Sequence, residues 1–191
     1  MIKIYALTLL LLITSSIVSS PPDRIPLDSF SDFTMQGKIP VTYEYYDHTI
    51  KNDSPLIYRT EHIDALIHGI ANGYSWNYGP ATDIPVLQAL QENIGSIKNK
   101  KVAILGATSP YYECMVLMLG GFPTTIEYNK PISMDDRIDT LHVDELKQKN
   151  IKFDAAISIS SFEHDGLGRY GDPINPWGDL EAMHNAKEIL K

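Results

Sequence analysis

Apolar positions recur with two different periods along this chain, and the change of period divides it. Glu61 to Ile70 places Ile63, Leu66, Ile67 and Ile70 on one helical face. A second helix follows, with Thr82 or Asp83 as its cap, Pro85 in its first turn and Val86, Leu87, Leu90, Ile94 and Ile97 turned inward. From Lys101 the apolar residues gather into short continuous runs separated by helical stretches. Lys101–Gly106, Pro123–Tyr128, Ile138–Leu141 and Phe153–Ser160 read as strands. Tyr111–Leu119 and Val143–Lys149 read as helices between them, and Asp179–Leu190 closes the chain as an amphipathic helix with Leu180, Met183, Ala186, Ile189 and Leu190 as its apolar set. Strands alternating with helices predict an α/β fold, a Rossmann-like, mostly parallel sheet with flanking helices and right-handed crossovers.

The segment before residue 61 has no such regularity. Pro21 to Lys38 carries Pro-Pro, Ile-Pro, Ser and Asp and reads as a linker or extended arm, while Val41 to Tyr46 alternates weakly, as a strand would. At the start, Lys3 precedes an apolar run from Ile4 to Ile13, followed by Thr14, Ser15, Ser16, Ser19 and Ser20. A basic residue, about 10 apolar residues and a small-residue end form the pattern of a secretory signal peptide. Ile17, Val18 and Pro21 leave open an uncleaved signal anchor instead. The expected organisation is a signal peptide or anchor over 1–20, an N-terminal arm and helix over 21–74, and the α/β domain over 75–191. The expected location is the secretory pathway or the extracellular space, with membrane attachment in the endoplasmic reticulum or Golgi only if the leader stays uncleaved. The one glycosylation sequon, Asn52-Asp53-Ser54, is followed by Pro55.

Composition narrows the choice of partner. The 191 residues are 43% hydrophobic, enough for a sizeable core. Net charge is -8 with no Lys/Arg-rich run, which argues against nucleic acid. The single Cys114 rules out an intramolecular disulfide, and its neighbours Met115, Val116 and Leu117 mark it as a small buried residue. His62 and His68 flank a helical face and read as solvated.

Two constellations carry chemistry. Gly106 ends the first strand of the α/β region and Glu127 lies 21 positions later at the end of the second. An acid about 20 residues after a glycine turn is where nucleotide-binding α/β folds hold ribose hydroxyls. A carboxylate suits that task because it accepts two hydrogen bonds. The turn, Gly106-Ala107-Thr108-Ser109-Pro110, has one glycine, and a cofactor without phosphate places less demand on it. The alternative is an ordinary strand-to-helix turn with Thr108 or Ser109 as cap and Glu127 solvated. The second constellation follows the strand ending at Ser160. Between Ser160 and Pro173 the chain packs Glu163, His164, Asp165, Arg169, Tyr170 and Asp172 among Gly166, Gly168 and Gly171. It is too polar for a core and too glycine-rich for a helix, and it sits where open α/β sheets bind ligands. His164 suits proton transfer near neutral pH, with Glu163 orienting it or accepting a proton itself. Asp165, Arg169, Tyr170 and Asp172 are the candidates for holding substrate, although Arg169 can equally pair with Asp172. Asp165, Asp172, Asp179 and His184 also invite a metal, and His164 with the carboxylates a metal-dependent hydrolase, but the spacing matches no closed ligand motif, so no metal is expected.

Val102–Gly106, Glu127 and Phe153–His164 together resemble the first motif, the ribose-binding acid and the fourth strand with its catalytic loop in class I methyltransferases that use S-adenosylmethionine. Glu163 to Pro173 and Gly178-Asp179-Leu180-Glu181-Ala182-Met183 are more closely similar to domain-of-unknown-function family 268, known from nematodes and plants and thought to be methyltransferase-like. The resemblance covers roughly residues 75 to 191. It implies S-adenosylmethionine as the small-molecule cofactor, held by Gly106, Ala107, Glu127 and Ser160, with Glu163 and His164 serving an unidentified acceptor. It also implies a sheet truncated on its C-terminal side, since such enzymes continue past this point with Pro-Gly-Gly and three more strands. That departure, together with the sparse glycines, leaves a second expectation open: a catalytically inactive, degenerate methyltransferase fold that serves as a binding or secreted module.

Overall fold

The computed structural model describes residues 20–49 and 55–191. The leader, apart from Ser20, and the sequon at Asn52 lie outside them. Two helices, α2 (Thr60–Ala71) and α3 (Pro80–Glu92), follow a short α1 (Phe30–Phe33) and a two-residue strand β1 (Ile57–Tyr58). The α/β part then runs β2 (Lys101–Leu105), α4 (Tyr111–Met118), β3 (Phe122–Glu127), β4 (Ile132–Ser133), β5 (Asp139–His142), α5 (Val143–Lys149), β6 (Ala155–Ser158) and α6 (Gly178–Glu188). The main sheet has the order β5-β3-β2-β6, and every pair in it is parallel. A mixed α/β fold with a Rossmann-like parallel sheet is therefore what this chain forms. β1 and β4 form a separate parallel pair.

Side-chain alternation sends residues of the central strands to two cores. Val102, Ile104 and Ile157 pack with Ile63, Leu66, Tyr112 and Met115 on the face covered by α2, α3 and α4. Ala103, Ile126, Leu141, Leu146 and Phe153 form the smaller core on the face of α5. Helix α4 lies between the sheet and α2, so Tyr111 through Val116 are all buried. That is why its sequence is apolar around most of its circumference. Cys114 is buried as expected. Pro123 is tolerated inside β3 because its neighbour Phe122 donates its N–H to Lys100 of the β2 side. Alternate residues face the same partner, so the Pro123 nitrogen points toward β5, whose pairing starts only at Thr124.

Three expectations change. Val41–Tyr46 forms no strand: residues 40–49 run as an unpaired arm over the later loops. Helix α3 begins at Pro80, so Asp83 is inside it. Its buried carboxylate instead accepts hydrogen bonds from the Ser75 hydroxyl, the Tyr112 hydroxyl and the N–H groups of Asn77 and Tyr78. In α6 the expected apolar face holds only for Ala186 and Ile189: Leu180 and Met183 are about half exposed, Leu190 is exposed, and no residue of the helix is buried. The half-buried stripe is Ala182, Ala186 and, just past the helix, Ile189. Beyond it, Phe153 N–H donates to the Ile189 carbonyl and Lys191 N–H donates to that of Phe153, a parallel bridge on the outer side of β6.

One charge sits inside the larger core. Glu113 is fully buried, accepts a hydrogen bond from the Thr125 hydroxyl, and has no partner for its second oxygen among the described residues. The buried Tyr58 hydroxyl is likewise unpartnered. Burial pushes the Glu113 carboxyl up to about 7, against which the Thr125 hydrogen bond acts only in part. A group whose folded pKa is raised favours the folded state fully below its unfolded value, near 4.5, and loses that contribution as pH rises through about 7. Glu113→Gln is therefore expected to gain stability relative to the parent between pH 5 and pH 8. The expected gain is on the order of 3 kcal/mol, since each pKa unit is about 1.4 kcal/mol. Urea unfolding at the two pH values measures it, and an equal difference at both would place the ionisation elsewhere.

Candidate functional site

Because every strand of the main sheet runs the same way, the loops after β2, β3 and β6 emerge at one edge. The chain reverses its direction of travel across the sheet between β2 and β6, and such a switch point opens a crevice. A cavity of about 680 Å³ lies there. Gly106, Glu127, Ser160, His164, Asp165, Arg169 and Tyr170 all line it. Of the residues assigned from sequence to catalysis, cofactor or substrate, Ala107, Glu163 and Asp172 do not.

Each of those three has another place. Ala107 is buried in the core on the α4 side. Glu163 lies in a single turn of 3-10 helix, Phe162–His164, and accepts a hydrogen bond from the Ser160 hydroxyl at 2.7 Å. Burial raises its pKa, but the bonds from Ser160 and from backbone amides outweigh this and hold it below the ordinary value. Asp172 is buried and organises the loop. One oxygen accepts the N–H groups of Gly166 at 2.8 Å and Gly168 at 2.9 Å, and the other accepts that of Tyr170 at 3.2 Å. Gly166, at φ +88°, is required there, since a Cβ would come within 2.0 Å of the Asn175 carbonyl oxygen. Asp172 is thus a structural residue of the loop, where sequence alone suggested a substrate contact.

The glycine turn meets the loop that follows β6. Gly106 adopts φ +73°, and a Cβ on it would lie 2.0 Å from the Ser161 hydroxyl oxygen. The loop after β6 takes the space that the missing side chain leaves. Ser160, immediately before, holds the left-handed conformation at φ +51°. Such backbone strain in a non-glycine residue is concentrated at functional sites.

Glu127 ends β3 and reaches the cavity half-buried. Burial and the nearby charge of Asp165 push its carboxyl up to about 7. Asp165 is itself pushed up to about 6, first by burial and then by Asp172, Asp179 and Glu163. Two carboxyls sharing one poorly solvated space each weaken the other's ionisation. Glu127 and Asp165 suit a ligand group that donates hydrogen bonds or carries positive charge, and Arg169 and Lys152 line the same cavity. Among the described residues no three His, Cys, Asp or Glu side chains converge as a metal would require.

Residues that the sequence gave no reason to choose complete the wall. His48 comes from the N-terminal arm. Its N–H donates to the Arg169 carbonyl at 2.8 Å, and its Nδ1 accepts from Arg169 Nε at 3.3 Å. The Arg169 guanidinium lies over the rings of Tyr46 at 4.8 Å and Tyr170 at 5.1 Å. Tyr170 meets both His48 and His164 edge to face. Tyr78 and Tyr128 add two more phenols. The aromatic-rich run Tyr74 to Tyr78 is a signal that could have found Tyr78; nothing comparable marks His48 or Tyr128.

Residues 99–191 match the model of a family described as Caenorhabditis protein of unknown function, DUF268. The match supports that family for the segment that carries the sheet, the cavity loop and α6. No curated protein and no solved structure matches the chain.

Asp172→Ala would leave three N–H groups without their acceptor and would loosen the loop from Gly166 to Tyr170. A lost acceptor in a buried site costs about 1–3 kcal/mol, so a loss of about 2–3 kcal/mol is expected in urea unfolding. Unchanged stability would mean that the loop is held from elsewhere.

Proposed function

We propose that the chain is a methyltransferase-like protein that binds S-adenosylmethionine at the carboxyl edge of its sheet, with an acceptor still to be identified. The observation that carries this reading is Glu127, a half-buried carboxyl at the end of the strand next to β2, facing a cavity at the switch point. A vicinal diol offers two donors to such a carboxylate. Glu127 and Asp165 on this lining suit a cofactor that carries a sulfonium and an ammonium group. The volume lies within the range of about 300–1,000 Å³ usual for small-molecule sites.

In this reading Glu127 holds the ribose, and Ser160 and the Gly106 turn border the amino-acid end. When bound, the cofactor supplies an electrophilic methyl group. His164 lines the same cavity and is the group placed to take a proton from an acceptor hydroxyl. Glu163 works through position, since its bond to the Ser160 hydroxyl fixes the turn that precedes His164. Asp165, Arg169 and Tyr170 shape the acceptor side. A leader of the kind predicted for residues 1–20 would place this chemistry in the secretory pathway.

One observation favours the rival reading of a non-catalytic binding module. Ser161 fills the space at Gly106, where a working cofactor turn would need close approach.

Calorimetric titration of the full chain with S-adenosylmethionine, and with S-adenosylhomocysteine in parallel, decides between them. Micromolar binding is expected, weakened about tenfold or more in Glu127→Gln, because hydrogen bonds to a charged group are worth about 1.5–3 kcal/mol. The diol donates to an ionised carboxylate, so affinity is expected to rise as pH climbs through about 7. A well-folded protein that binds neither compound would establish the binding-module reading instead.

A further inference from the structure

Helix α6 turns its larger apolar side chains away from its own core. At about 3.6 residues per turn, Ala182, Ala186 and the following Ile189 share the half-buried face toward the sheet. Leu180 lies across the helix from them, with Trp177 one turn before it and Met183 one turn after, and all three are about half exposed. The exposed His184 and Lys187 continue that line toward the end of the helix. In the other direction it runs on into the loop before α6, where Leu167 and Ile174 are exposed. The Asn175 N–H, donating to the Gly166 carbonyl at 2.9 Å, holds those two parts of the loop together.

Pro21 sits at the same place. It is buried, and its carbonyl accepts a hydrogen bond from the Tyr45 hydroxyl at 3.2 Å. A Cβ on Gly168 would lie 3.3 Å from Pro21 Cβ and 2.9 Å from Ile174 Cδ1, so the three residues share one spot. Ile17 and Val18, the end of the apolar leader, come just before Pro21 in sequence. An extended chain spans at most about 3.6 Å per residue, so the link from Val18 to Pro21 reaches about 11 Å. A bilayer that holds the leader is thereby kept beside Ile174 and the start of α6.

We infer that the Trp177–Leu180–Met183 face of α6, with Leu167 and Ile174 beside it, lies on a lipid bilayer at the level of the headgroups. The alanine stripe and the cavity are on the side turned away from the lipid. A Trp ring with its N–H suits that boundary, and Lys187 can lay its stem on apolar surface while its ammonium stays among headgroups. A handful of exposed side chains is far less than the roughly 20–30 residues a side of a stable protein interface, so a second copy of the chain would be held weakly. On a membrane a weak contact is enough, because the leader supplies the other attachment. The inference takes the uncleaved anchor among the two expectations for residues 1–20 and is independent of the cofactor reading.

The chain has two tryptophans, Trp76 and Trp177. Trp76 packs on Gly69 of α2, on the opposite face of the sheet, so each can report separately. The full chain is reconstituted into phosphatidylcholine vesicles with plain or brominated acyl chains. In Trp76→Phe, the emission of Trp177 is expected to shift to the blue on vesicles and to be quenched by the brominated lipid. In Trp177→Phe, the emission of Trp76 is expected to stay unquenched. Leu180→Glu with Met183→Glu, both at exposed positions, should remove the quenching of Trp177 while the chain still floats with the vesicles through its leader. A chain that does not join the vesicles would overturn the inference, as would a bound chain whose Trp177 is unquenched or whose two tryptophans are quenched alike. Quenching that survives the double substitution would place another face on the lipid. A blue shift of Trp177 without lipid, growing with protein concentration, would give this face to a second copy instead.

Discussion

The site depends on β2 being hydrogen-bonded on both sides by parallel strands. Val102 is opposite Pro123 on one side and Ala155 on the other, and the register continues to Leu105 against Ile126 and Ser158. Parallel neighbours cannot be joined by hairpins, so each needs a crossover. Helix α4 makes the crossover on one face and α5 makes the one on the other. That arrangement brings Gly106, Glu127 and Ser160 to one edge although 54 positions separate the first from the last. Contact between Gly106 and Ser161 then ties the two loops together directly. A bulkier residue at 106 would have to push the β6 loop away, and with it His164, Asp165 and the Asp172-centred turn.

The two faces of the sheet are finished differently. On the α4 side, three helices give a continuous core that includes Tyr58, Ile63, Met115 and Ile104. On the α5 side, the core is limited to a few residues, and α6 stands off with alanines toward the sheet. Dense packing on one face holds the strands in register, which lets the other face keep open volume without losing the fold. Incomplete packing costs stability, so a cavity of about 680 Å³ is a feature that the well-packed face must support.

Periodicity revealed most of the architecture. The four main strands, α4, α5 and α6 were legible because buried parallel strands read as short apolar runs between helical stretches. Boundaries moved by one or two residues, as frayed ends do. The loop after β6 was legible as a site because glycines and charges have no reason to follow a buried strand otherwise. What stayed hidden was long-range. Nothing local marks His48 as a partner of Arg169, 121 positions away. Nothing local separates Asp172, which bonds three backbone amides, from Asp165, which faces the cavity. The face of α6 was misread for a related reason. Leu180 and Met183 are its largest apolar residues, and periodicity weights size, whereas the inward stripe here is set by how little room its residues take.

Two carboxyls on one face of β3, one held by it from α4 and one its own, have different surroundings. Thr125 faces the core and donates to Glu113, and Glu127 lies two residues further along the same face. Both carboxyls are pushed up to about 7, in each case first by burial. A perturbed carboxyl alone marks a functional site only statistically. Access is what distinguishes them. Glu113 is sealed among Tyr58, Cys114 and Val116 and can exchange a proton only when the core opens. Glu127 stands at the end of the strand, where the sheet stops covering it and the cavity begins. One face of β3 thus meets, at Thr125, an acid of α4 that the fold must tolerate and carries, two residues on, an acid that lines the cavity.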